Sequence, residues 1–491
     1  METANNRFRL MLSFFTIKQK KYNYIISPEK MKKITLIRRS RLKIRRELCI
    51  ISTTTYDKEN VIMYRFLIEK LKKWKDSPKR KPLILWGARQ VGKTYLMKSF
   101  GDECFENMVY ISLYKNQRIA DIFSIDYDTK RIIKSIELEL NVKIDPDKTL
   151  IIFDEVQNAP AVVESLKYFC EDAREYALIA AGSLLGVALH ENVSFPVGKV
   201  DELHLYPMSF MEYLIARSEQ ELAECVKDYR DPVLEGLAGK CHDYLKEYYV
   251  VGGMPEAVST FIETEDYDSV REVQNSILNQ YEGDFGKHVK ANELPRIHMV
   301  WNSLPAQLAK ENKKFFFGQI KAGARAKEFE IALQWLKDSG LVHMVYKVSK
   351  PGIPLKAYLD MSNFKVYMLD VGLLGALAEL DVHTLLKGNA AFTEFKGALT
   401  EQYVLQQIIA ETRYTPYYYS GEKSTYETDF LIQKDGDIAP IEVKAEENVR
   451  SKSLKTFCDK FNPPKAYRIS MKNYYDQGWM VNIPLWGIGG L

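Results

Sequence analysis

The segment KPLILWGARQVGKT, residues 81–94, constrains the fold of this chain most strongly. Its apolar run Leu83–Trp86 is typical of a short buried strand in a parallel sheet. The pattern G-x-x-x-x-G-K-T follows from Gly87 to Thr94, and the helix-forming stretch YLMKSFG comes next. Strand, Gly-rich loop and helix form the context in which a Walker A pattern holds phosphate. The sequence therefore predicts an α/β domain with a phosphate-binding loop.

The loop composition predicts how each part would act. Its backbone N–H groups would surround phosphate oxygens, and the following helix would add the positive end of its dipole. Lys93 would reach the β- and γ-phosphates, and the Thr94 hydroxyl would ligate Mg²⁺. The predicted cofactors are therefore ATP and Mg²⁺. The residues assigned to nucleotide binding are Gly87, Ala88, Arg89, Gln90, Val91, Gly92, Lys93 and Thr94.

A second apolar run, TLIIFDE at residues 149–155, ends in two acids and matches a Walker B strand. Asp154 would hold Mg²⁺ together with Thr94, and Glu155 would polarise the attacking water. A third strand, YALIAAGS, is predicted to end beside it at Ser183. That serine either senses the γ-phosphate or caps the next helix, and the residues leave both roles open. The predicted catalytic residues are thus Lys93, Glu155 and Ser183.

Five motifs occur in order between residues 87 and 258, and the resemblance that they carry covers roughly residues 63–491. They are GARQVGKT, IIFDEVQNAP, AAGSLLG, LYPMSFMEYL and VVGGMPEAV. In this combination the chain resembles prokaryotic AAA-type ATPases whose C-terminal half is a domain of unknown function, DUF4143. The resemblance implies ATP binding at the loop. Members of that family usually have Gly-Arg where this chain has Gly198-Lys199, and lysine lacks the planar fork of arginine. This difference puts efficient hydrolysis in question.

We divide the chain into a basic extension predicted to be disordered (1–62), an AAA-type ATPase domain (63–215), a helical and winged-helix region (216–385) and a restriction-endonuclease-like α/β domain (386–491). Within the third region, Phe329, Ala332, Leu333 and Leu336 have helical spacing, residues 338–340 end the helix, and residues 341–348 predict a strand. Helix, stop and strand suggest a winged helix. It could bind DNA or a protein. The basic residues in front of the helix are Lys321, Arg325 and Lys327.

The stretch ETDFLIQKDGDIAPIEVK, residues 427–444, predicts a β-hairpin because Asp435-Gly436 favours a two-residue turn. In that register Asp429 faces Glu442, and Glu427 faces Lys444. One face would be apolar. The other would gather three acids and a lysine, and facing carboxylates repel unless something offsets them.

Bound Mg²⁺ or Mn²⁺ would offset this repulsion, because hard cations prefer carboxylate oxygens. The arrangement resembles the D…E-x-K core of the PD-(D/E)XK nuclease fold. The resemblance implies a metal site of Glu401, Asp429 and Glu442, with Lys444 orienting or activating water. The alternative is a sheet with a charged outer face, in which Glu427 and Lys444 form an ordinary ion pair.

Composition narrows the class of protein. Residues 1–50 hold fourteen Lys/Arg against three Asp/Glu, whereas the whole chain has a net charge of +4, so the remainder is mildly acidic. A nucleic-acid surface would then be a local patch. The six cysteines form no C-x-x-C pair, and a reducing cytoplasm fits them best. The sequence has no run of about 18 apolar residues, which predicts no transmembrane helix.

Three functions remain open from the sequence. The first is an ATPase that acts as a switch or motor for its nuclease-like domain. The second is an ATP-gated, metal-dependent DNA nuclease. The third is a slowly hydrolysing ATP-dependent scaffold for a protein partner. A dinucleotide-binding fold is disfavoured because the loop is not G-x-G-x-x-G. The oligomeric state is left open.

Overall fold

The computed structural model describes residues 63–114, 116–183, 185–188, 194–289, 291–310, 313–387, 393–421, 426–445 and 451–491. The basic extension predicted for residues 1–62 lies outside the described residues. The described residues belong to one compact unit that spans Val61–Leu491.

The helices alternate with strands in the first half and dominate the middle of the chain. In chain order they are α1 (Leu67–Lys75), α2 (Lys93–Cys104), α3 (Gln117–Ile125), α4 (Thr129–Leu140), α5 (Pro160–Asp172), α6 (Leu185–Ala188), α7 (Phe210–Ala216), α8 (Gln220–Lys227), α9 (Val233–Val251), α10 (Pro255–Thr264), α11 (Tyr267–His288), α12 (Leu294–Leu308), α13 (Phe317–Ile320), α14 (Ala326–Asp338), α15 (Val371–Leu377), α16 (Val382–Lys387), α17 (Thr393–Glu411) and α18 (Lys452–Phe461).

The strands form two sheets. The first contains β1 (Leu83–Trp86), β2 (Asn107–Ser112), β3 (Thr149–Asp154), β4 (Ala177–Ala181) and β5 (Asp201–His204). The second contains β6 (Val342–Val348), β7 (Leu359–Met368), β8 (Tyr417–Ser420), β9 (Glu427–Lys434), β10 (Asp437–Val443), β11 (Ala466–Ser470), β12 (Tyr475–Asp476) and β13 (Met480–Pro484).

The first sheet has the order β2-β3-β4-β1-β5, and every pair in it is parallel. Strands β3 and β4 are buried along their whole length, because helices cover both faces. The predicted strands at the two Walker motifs and before Ser183 are all confirmed. Since parallel strands end at one edge of a sheet, the loop after β1 and the residues after β3 and β4 meet there. This edge positions the candidate site.

The second sheet is mixed, with the order β12-β13-β11-β10-β9-β8-β6-β7. The predicted hairpin forms β9 and β10, with Asp437 opposite Lys434 as expected from the turn. Its ladder continues in this register to Ile441 opposite Phe430. The apolar face predicted for the hairpin is confirmed, since Phe430, Ile432 and Ile441 are fully buried.

The helix predicted around Phe329–Leu336 and the strand predicted at residues 341–348 correspond to α14 and β6. Strand β6 pairs with β7, and β6 also lies beside β8. The strand that we expected as a wing therefore forms, together with β7, one edge of the second sheet. The basic residues Lys321, Arg325 and Lys327 are exposed. A nucleic-acid-binding winged helix stays a prediction.

Buried hydrogen bonds join the ATPase region to the second sheet. The carboxylate of Asp370 accepts from Gly253 N at 2.6 Å and from Gln406 Nε2 at 3.0 Å. Gly253 in turn accepts from Met208 N at 2.6 Å, and Tyr248 donates to the carbonyl of Met208. The turn GGMPE, residues 252–256, thus has a structural role that its sequence did not reveal. Because unpaired buried polar groups are costly, these bonds fix the two regions together.

Candidate functional site

The phosphate-binding loop takes a backbone shape that only glycine tolerates at its ends. Gly87 has φ 152° and Gly92 has φ 93°. A Cβ on Gly87 would lie 2.4 Å from the carbonyl oxygen of Leu205, so any side chain there would collide with the chain after β5. The sequence predicted these glycines from the motif. The structure adds the neighbour that excludes a side chain.

Lys93 lies at the first position of α2, with its side chain buried inside the loop. Its Nζ donates to the carbonyl oxygens of Gly87 and Ala88, each at 2.8 Å. Burial lowers the pKa of Lys93 to about 8, although the nearby carboxylates of Glu155 and Asp154 oppose that shift. Neutral carbonyls hold this ammonium weakly, so a phosphate that replaced them would gain a full charge–charge interaction.

The residues assigned to Mg²⁺ lie in contact. Thr94 Oγ1 donates to Asp154 Oδ2 at 2.6 Å, and the Tyr110 hydroxyl donates to the same oxygen at 2.9 Å. A hydroxyl and a carboxylate at the start of a helix suit a small hard cation that keeps several waters. This donor set therefore fits Mg²⁺. Tyr110, on β2, was not identified from the sequence because a tyrosine in a strand has no distinguishing pattern.

Glu155 lies directly after β3, and its backbone is in the left-handed conformation, with φ 58°. Its Oε2 accepts from Ser183 Oγ at 3.1 Å and also from the side-chain amide of Gln157. A non-glycine residue with this backbone is uncommon and often marks a functional position. The carboxylate is therefore held at the same edge as Lys93 and Thr94. Ser183 thus contacts this carboxylate, and its role as a sensor of the γ-phosphate or as a helix cap stays a prediction.

The arrangement is one that phosphoryl transfer could use. In that prediction Lys93 would supply positive charge for the phosphates, and Asp154 would supply an anion for a metal ion. Glu155, to which Ser183 is hydrogen-bonded, would orient a water molecule. Positioning and electrostatic stabilisation account for most catalysis of this reaction.

The structure adds a link between the loop and helix α11 that the sequence did not indicate. The guanidinium of Arg89 pairs with Asp284, whose side chain is 5% exposed. The Tyr281 hydroxyl donates to Arg89 O at 2.9 Å, and Gln90 Nε2 donates to Gln280 Oε1 at 3.1 Å. About 190 residues separate the partners, and no local sequence pattern could have paired them.

Arg65, in front of α1, is a second residue that sequence reasoning missed. It is 4% exposed. Its Nη1 donates to Val91 O at 2.7 Å, and its Nε donates to Glu212 Oε2 at 3.1 Å. Glu212 also closes a capping box with Ser209 at the start of α7. Arg65 therefore ties the loop to the LYPMSFMEYL motif, which explains part of that motif.

A cavity of about 120 Å³ lies behind the start of the loop. Ala88, Ser183, Gly340 and His343 are among the residues that line it. A site for a molecule of nucleotide size needs about 300–1,000 Å³, so this cavity is no nucleotide pocket. A Cβ on Gly186 would lie 2.3 Å from the carbonyl oxygen of Asp338. The C-terminal end of α14 therefore lies against the segment that follows Ser183.

Lys199, the residue that replaces the family's arginine, pairs with Glu171. Its Nζ lies 2.7 Å from Glu171 Oε1, and the hydrogen bond raises the pKa of Lys199. Among the residues of the chain that the structure describes, none of the loop 87–94 forms an ion pair with it. The structure therefore gives Lys199 a surface ion pair.

The proposed nuclease residues lie in the second sheet and its helix, but lysines from elsewhere reach them. Glu401, on α17 as predicted, accepts from Lys313 Nζ at 2.6 Å and from the Tyr367 hydroxyl at 3.2 Å. Asp429 accepts from the backbone N–H of Val443 at 2.7 Å. Burial, together with the negative charge of Glu401, raises the pKa of Asp429 to about 7.

The expected ion pair between Glu427 and Lys444 is wrong. Glu427 Oε1 pairs with Lys365 Nζ at 2.6 Å, and Lys444 Nζ pairs with Glu442 Oε1 at 3.0 Å. Lys365 comes from β7 and is 1% exposed, so the second sheet brings a buried cation to Glu427 that the hairpin alone could not reveal. The face expected to be open to solvent is largely covered.

The donor geometry does not fit a metal ion at this second cluster. Within the described residues, no three His, Cys, Asp or Glu side chains come together as they would around a metal. Each acid instead has a lysine, a tyrosine or a backbone N–H as partner. The metal site of Glu401, Asp429, Glu442 and Lys444 stays a prediction that this geometry does not support.

Three family models match separate parts of the chain. The model described as an AAA domain matches residues 79–214, and the domain of unknown function DUF4143 matches residues 396–486. A further domain of unknown function, DUF8612, matches residues 242–384. The resemblance drawn from the five motifs is thereby confirmed at both ends of the chain. Residues 79–214 are an AAA domain with a P-loop.

Several solved structures are similar to this chain. The Walker-type ATPase PABY2304 of Pyrococcus abyssi is 14% identical over 65% of this chain and 96% of its own, with a TM-score of 0.41. The Aeropyrum pernix Orc1 protein in complex with DNA is 13% identical over 67% of this chain and 96% of its own, with a TM-score of 0.29. AMPPCP-bound DnaA from Aquifex aeolicus is 12% identical over 55% and 86%, with a TM-score of 0.25. No curated protein matches the sequence.

Proposed function

We propose that this protein binds Mg²⁺ and ATP at the loop 87–94, hydrolyses ATP, and uses the nucleotide state to reposition its helical and C-terminal regions. The AAA domain and the P-loop fold support nucleotide binding. One observation carries the step to hydrolysis: Thr94, Asp154, Glu155 and Ser183 are joined by hydrogen bonds at one sheet edge beside Lys93.

Each of these residues would have a separate role in hydrolysis. Mg²⁺, when bound, neutralises phosphate charge and orients the phosphates. Thr94 and Asp154 would hold it. Lys93 would leave the carbonyls of Gly87 and Ala88 and bind phosphate oxygens. Glu155 would orient the attacking water, and Ser183 would hold that carboxylate in place.

The pairing of Arg89 with Asp284 offers a route from nucleotide to helix α11. Arg89 belongs to the loop, and a bound triphosphate carries more negative charge than one carboxylate. ATP would therefore compete with Asp284 for the guanidinium, whose planar fork suits phosphate. Release of Arg89 would free the C-terminal part of α11 from the loop. Gln274, earlier on α11, donates to the carbonyls of Val250 and Val251, which links the helix to α9.

Two substitutions separate binding from hydrolysis. Lys93→Ala should lower ATP affinity by more than about tenfold, since it removes a charge-assisted contact to phosphate. Glu155→Gln should retain ATP binding and lose about 10²–10³-fold in turnover. Nucleotide affinity from a fluorescent ATP analogue and phosphate release measure the two effects. The exposed Lys79→Ala is the matched control. Unchanged affinity in Lys93→Ala would contradict the proposal.

A third substitution tests the switch. Asp284→Asn should raise ATP affinity a few-fold, because Arg89 no longer has to leave a carboxylate. Hydrogen exchange of residues 267–288 should respond to ATP in the wild type and not in this variant. Asp268→Asn, exposed near the other end of α11, is the control. If ATP leaves exchange in α11 unchanged in the wild-type protein, this route is excluded while hydrolysis stands.

The scaffold function is the second candidate, favoured by one observation. Lys199 forms an ion pair with Glu171 where the related ATPases usually have arginine, so the planar fork of arginine, which suits phosphate, is missing from that position. Turnover too slow to measure together with tight ATP binding would favour the scaffold.

A protein or DNA partner at Lys321, Arg325 and Lys327, an oligomer and a cytoplasmic location remain proposals. Among the described residues, no helix is both long and apolar enough to span a membrane.

An ATP-gated nuclease is the third proposal, and the buried ion pairs weigh against it. Lys313 and Lys365 would have to leave Glu401 and Glu427 before a metal could bind near Asp429. Cleavage of DNA with Mn²⁺ by the wild type, lost in Asp429→Ala and dependent on ATP, would establish it.

A further inference from the structure

A pocket of about 490 Å³ opens between α9 and the chain that follows β11. It lies outside the nucleotide-binding loop and outside the hairpin 427–444. His242, Arg468, Lys472, Asn473, Tyr474 and Tyr475 are the polar and aromatic residues that matter in its lining. It adjoins the carboxyl ends of the parallel strands β11 and β13, where α/β sheets commonly bind ligands. Its size suits a small organic molecule.

Arg468 forms the buried part of this pocket. It is 6% exposed, and its Nε donates to Asn482 Oδ1 at 2.8 Å. Among the described residues its side chain has no other hydrogen bond and no ion pair, so both Nη groups remain available. Glu442, opposite Arg468 on β10, pairs through Oε1 with Lys444 at 3.0 Å, and its Oε2 is buried without a hydrogen-bond partner among the described residues. Because no carboxylate bonds the Arg468 guanidinium directly, an anion in the pocket would offset the cost of burying it.

The remaining lining indicates which anion fits. The described lining has Arg468, Lys472 and His242 and includes no Asp or Glu. Tyr475 stands at the mouth with 59% of its surface exposed, which makes its ring available for stacking. The Oδ1 atom of Asn473 is buried and has no hydrogen-bond partner among the described residues. It can accept from a hydroxyl or amine of the ligand.

We propose that this pocket binds a nucleoside monophosphate unit, either as a free nucleotide or as the 5′-phosphorylated end of a strand. The fork of Arg468 would hold the phosphate in a bidentate manner, and Lys472 would add a second cation. Tyr475 would stack on the base, and Asn473 would accept from it or from the sugar. The site is separate from the loop 87–94 and does not depend on ATP hydrolysis.

The test measures AMP binding to the full-length protein by calorimetry with the loop 87–94 saturated by Mg²⁺ and ADP. Arg468→Gln should weaken AMP binding by about 10- to 100-fold, because it removes two charge-assisted hydrogen bonds. Lys472→Gln should weaken it by about three- to fivefold, since that lysine is exposed. Arg413→Gln, an exposed arginine elsewhere on the C-terminal domain, should leave it unchanged. A 5′-phosphorylated trinucleotide and its unphosphorylated form are the other probes.

The outcomes decide the proposal. A preference for the phosphorylated trinucleotide over AMP supports a strand end, and the reverse supports a free nucleotide. Absence of binding by the wild type at millimolar AMP and trinucleotide overturns the proposal. Equal affinity of both trinucleotides also overturns it, because the phosphate would then carry no recognition. If only Arg468→Gln weakens binding and the exposed Lys472→Gln does not, the loss reflects folding and the proposal fails.

Discussion

The loop 87–94 and the hairpin 427–444 both bring lysine and carboxylate side chains to the edge or face of a sheet, but they use them differently. In the loop, Lys93 is held by two neutral carbonyls. Around the hairpin, Lys313 and Lys365 are each held by a full carboxylate at 2.6 Å. The first arrangement can exchange its partner for a phosphate. The second is already neutralised by the protein itself.

This difference shows why residue types alone do not define a site. Breaking a buried ion pair leaves an uncompensated charge, whereas freeing a lysine from carbonyls costs only ordinary hydrogen bonds. Asp429 illustrates the result, since the two lysines balance Glu401 and Glu427 and leave no cation of their own for a third acid. Burial, and the negative charge of Glu401, raise the pKa of Asp429.

The largest expected effect separates the two regions by their need for a metal ion. Asp154→Asn should reduce Mg²⁺-dependent ATP hydrolysis by about 10²–10³-fold, because it weakens the hold on a cation that neutralises phosphate. Asp429→Asn, the matched change in the hairpin, should leave hydrolysis within about twofold, an effect near the noise of a rate assay. Phosphate release at saturating ATP measures both. Equal losses would mean that the two regions act as one site.

The next effect concerns the buried lysine of the second region. Lys365→Met should lower the free energy of unfolding by about 3 kcal/mol, since Glu427 loses its partner while remaining partly buried. Denaturant unfolding of the full chain measures this. Adding Glu427→Gln should restore much of the stability, and the exposed Lys356→Met serves as the control. If the Lys365→Met variant instead gains Mn²⁺-dependent DNA cleavage, then Lys365 blocks a nuclease site in the wild-type protein.

A smaller effect depends on pH. Asp429 keeps its proton up to about pH 7 in the folded protein, whereas its unfolded carboxyl releases it near pH 3.8. The free energy of unfolding should therefore fall as pH rises from about 4 to 7 and level off above. Asp429→Asn should remove this slope and make the protein more stable than the wild type at pH 8. Thermal unfolding at pH 5 and pH 8 measures it, and a variant with the wild-type slope would contradict the assignment.

The smallest expected effect tests the role of Ser183 beside the loop 87–94. Ser183→Ala should lower turnover by about tenfold with little change in ATP affinity, because Glu155 loses one of the bonds that hold it. Ser183→Thr, which keeps the hydroxyl, should retain more activity. Steady-state turnover and nucleotide affinity separate this from a helix cap. A cap alone would lower stability by about 1 kcal/mol and leave turnover intact.

The sequence predicted much of the second region's local structure as well. The turn at Asp435-Gly436 fixed the hairpin register, and Glu401 lies on the helix where it was expected. The prediction failed for the environment of these residues. Lys313 and Lys365 lie 88 and 62 residues from their partners, and nothing near them marks them as ion-pair partners. Arg468 likewise looks like one more charged residue in the chain until its strand places it at the base of a pocket.

The sequence by itself determined the strands, the phosphate-binding loop and the residues after β3 and β4, because each depends on neighbours within a few positions and on the rule that parallel strands end at one edge. Only the tertiary structure decided which charges remain available. The partners of Arg89, Glu427 and Arg468 come from distant segments, and burial sets the strength of every such contact. The same acids and lysines therefore make a site able to exchange ligands at the loop and a closed cluster beside the hairpin.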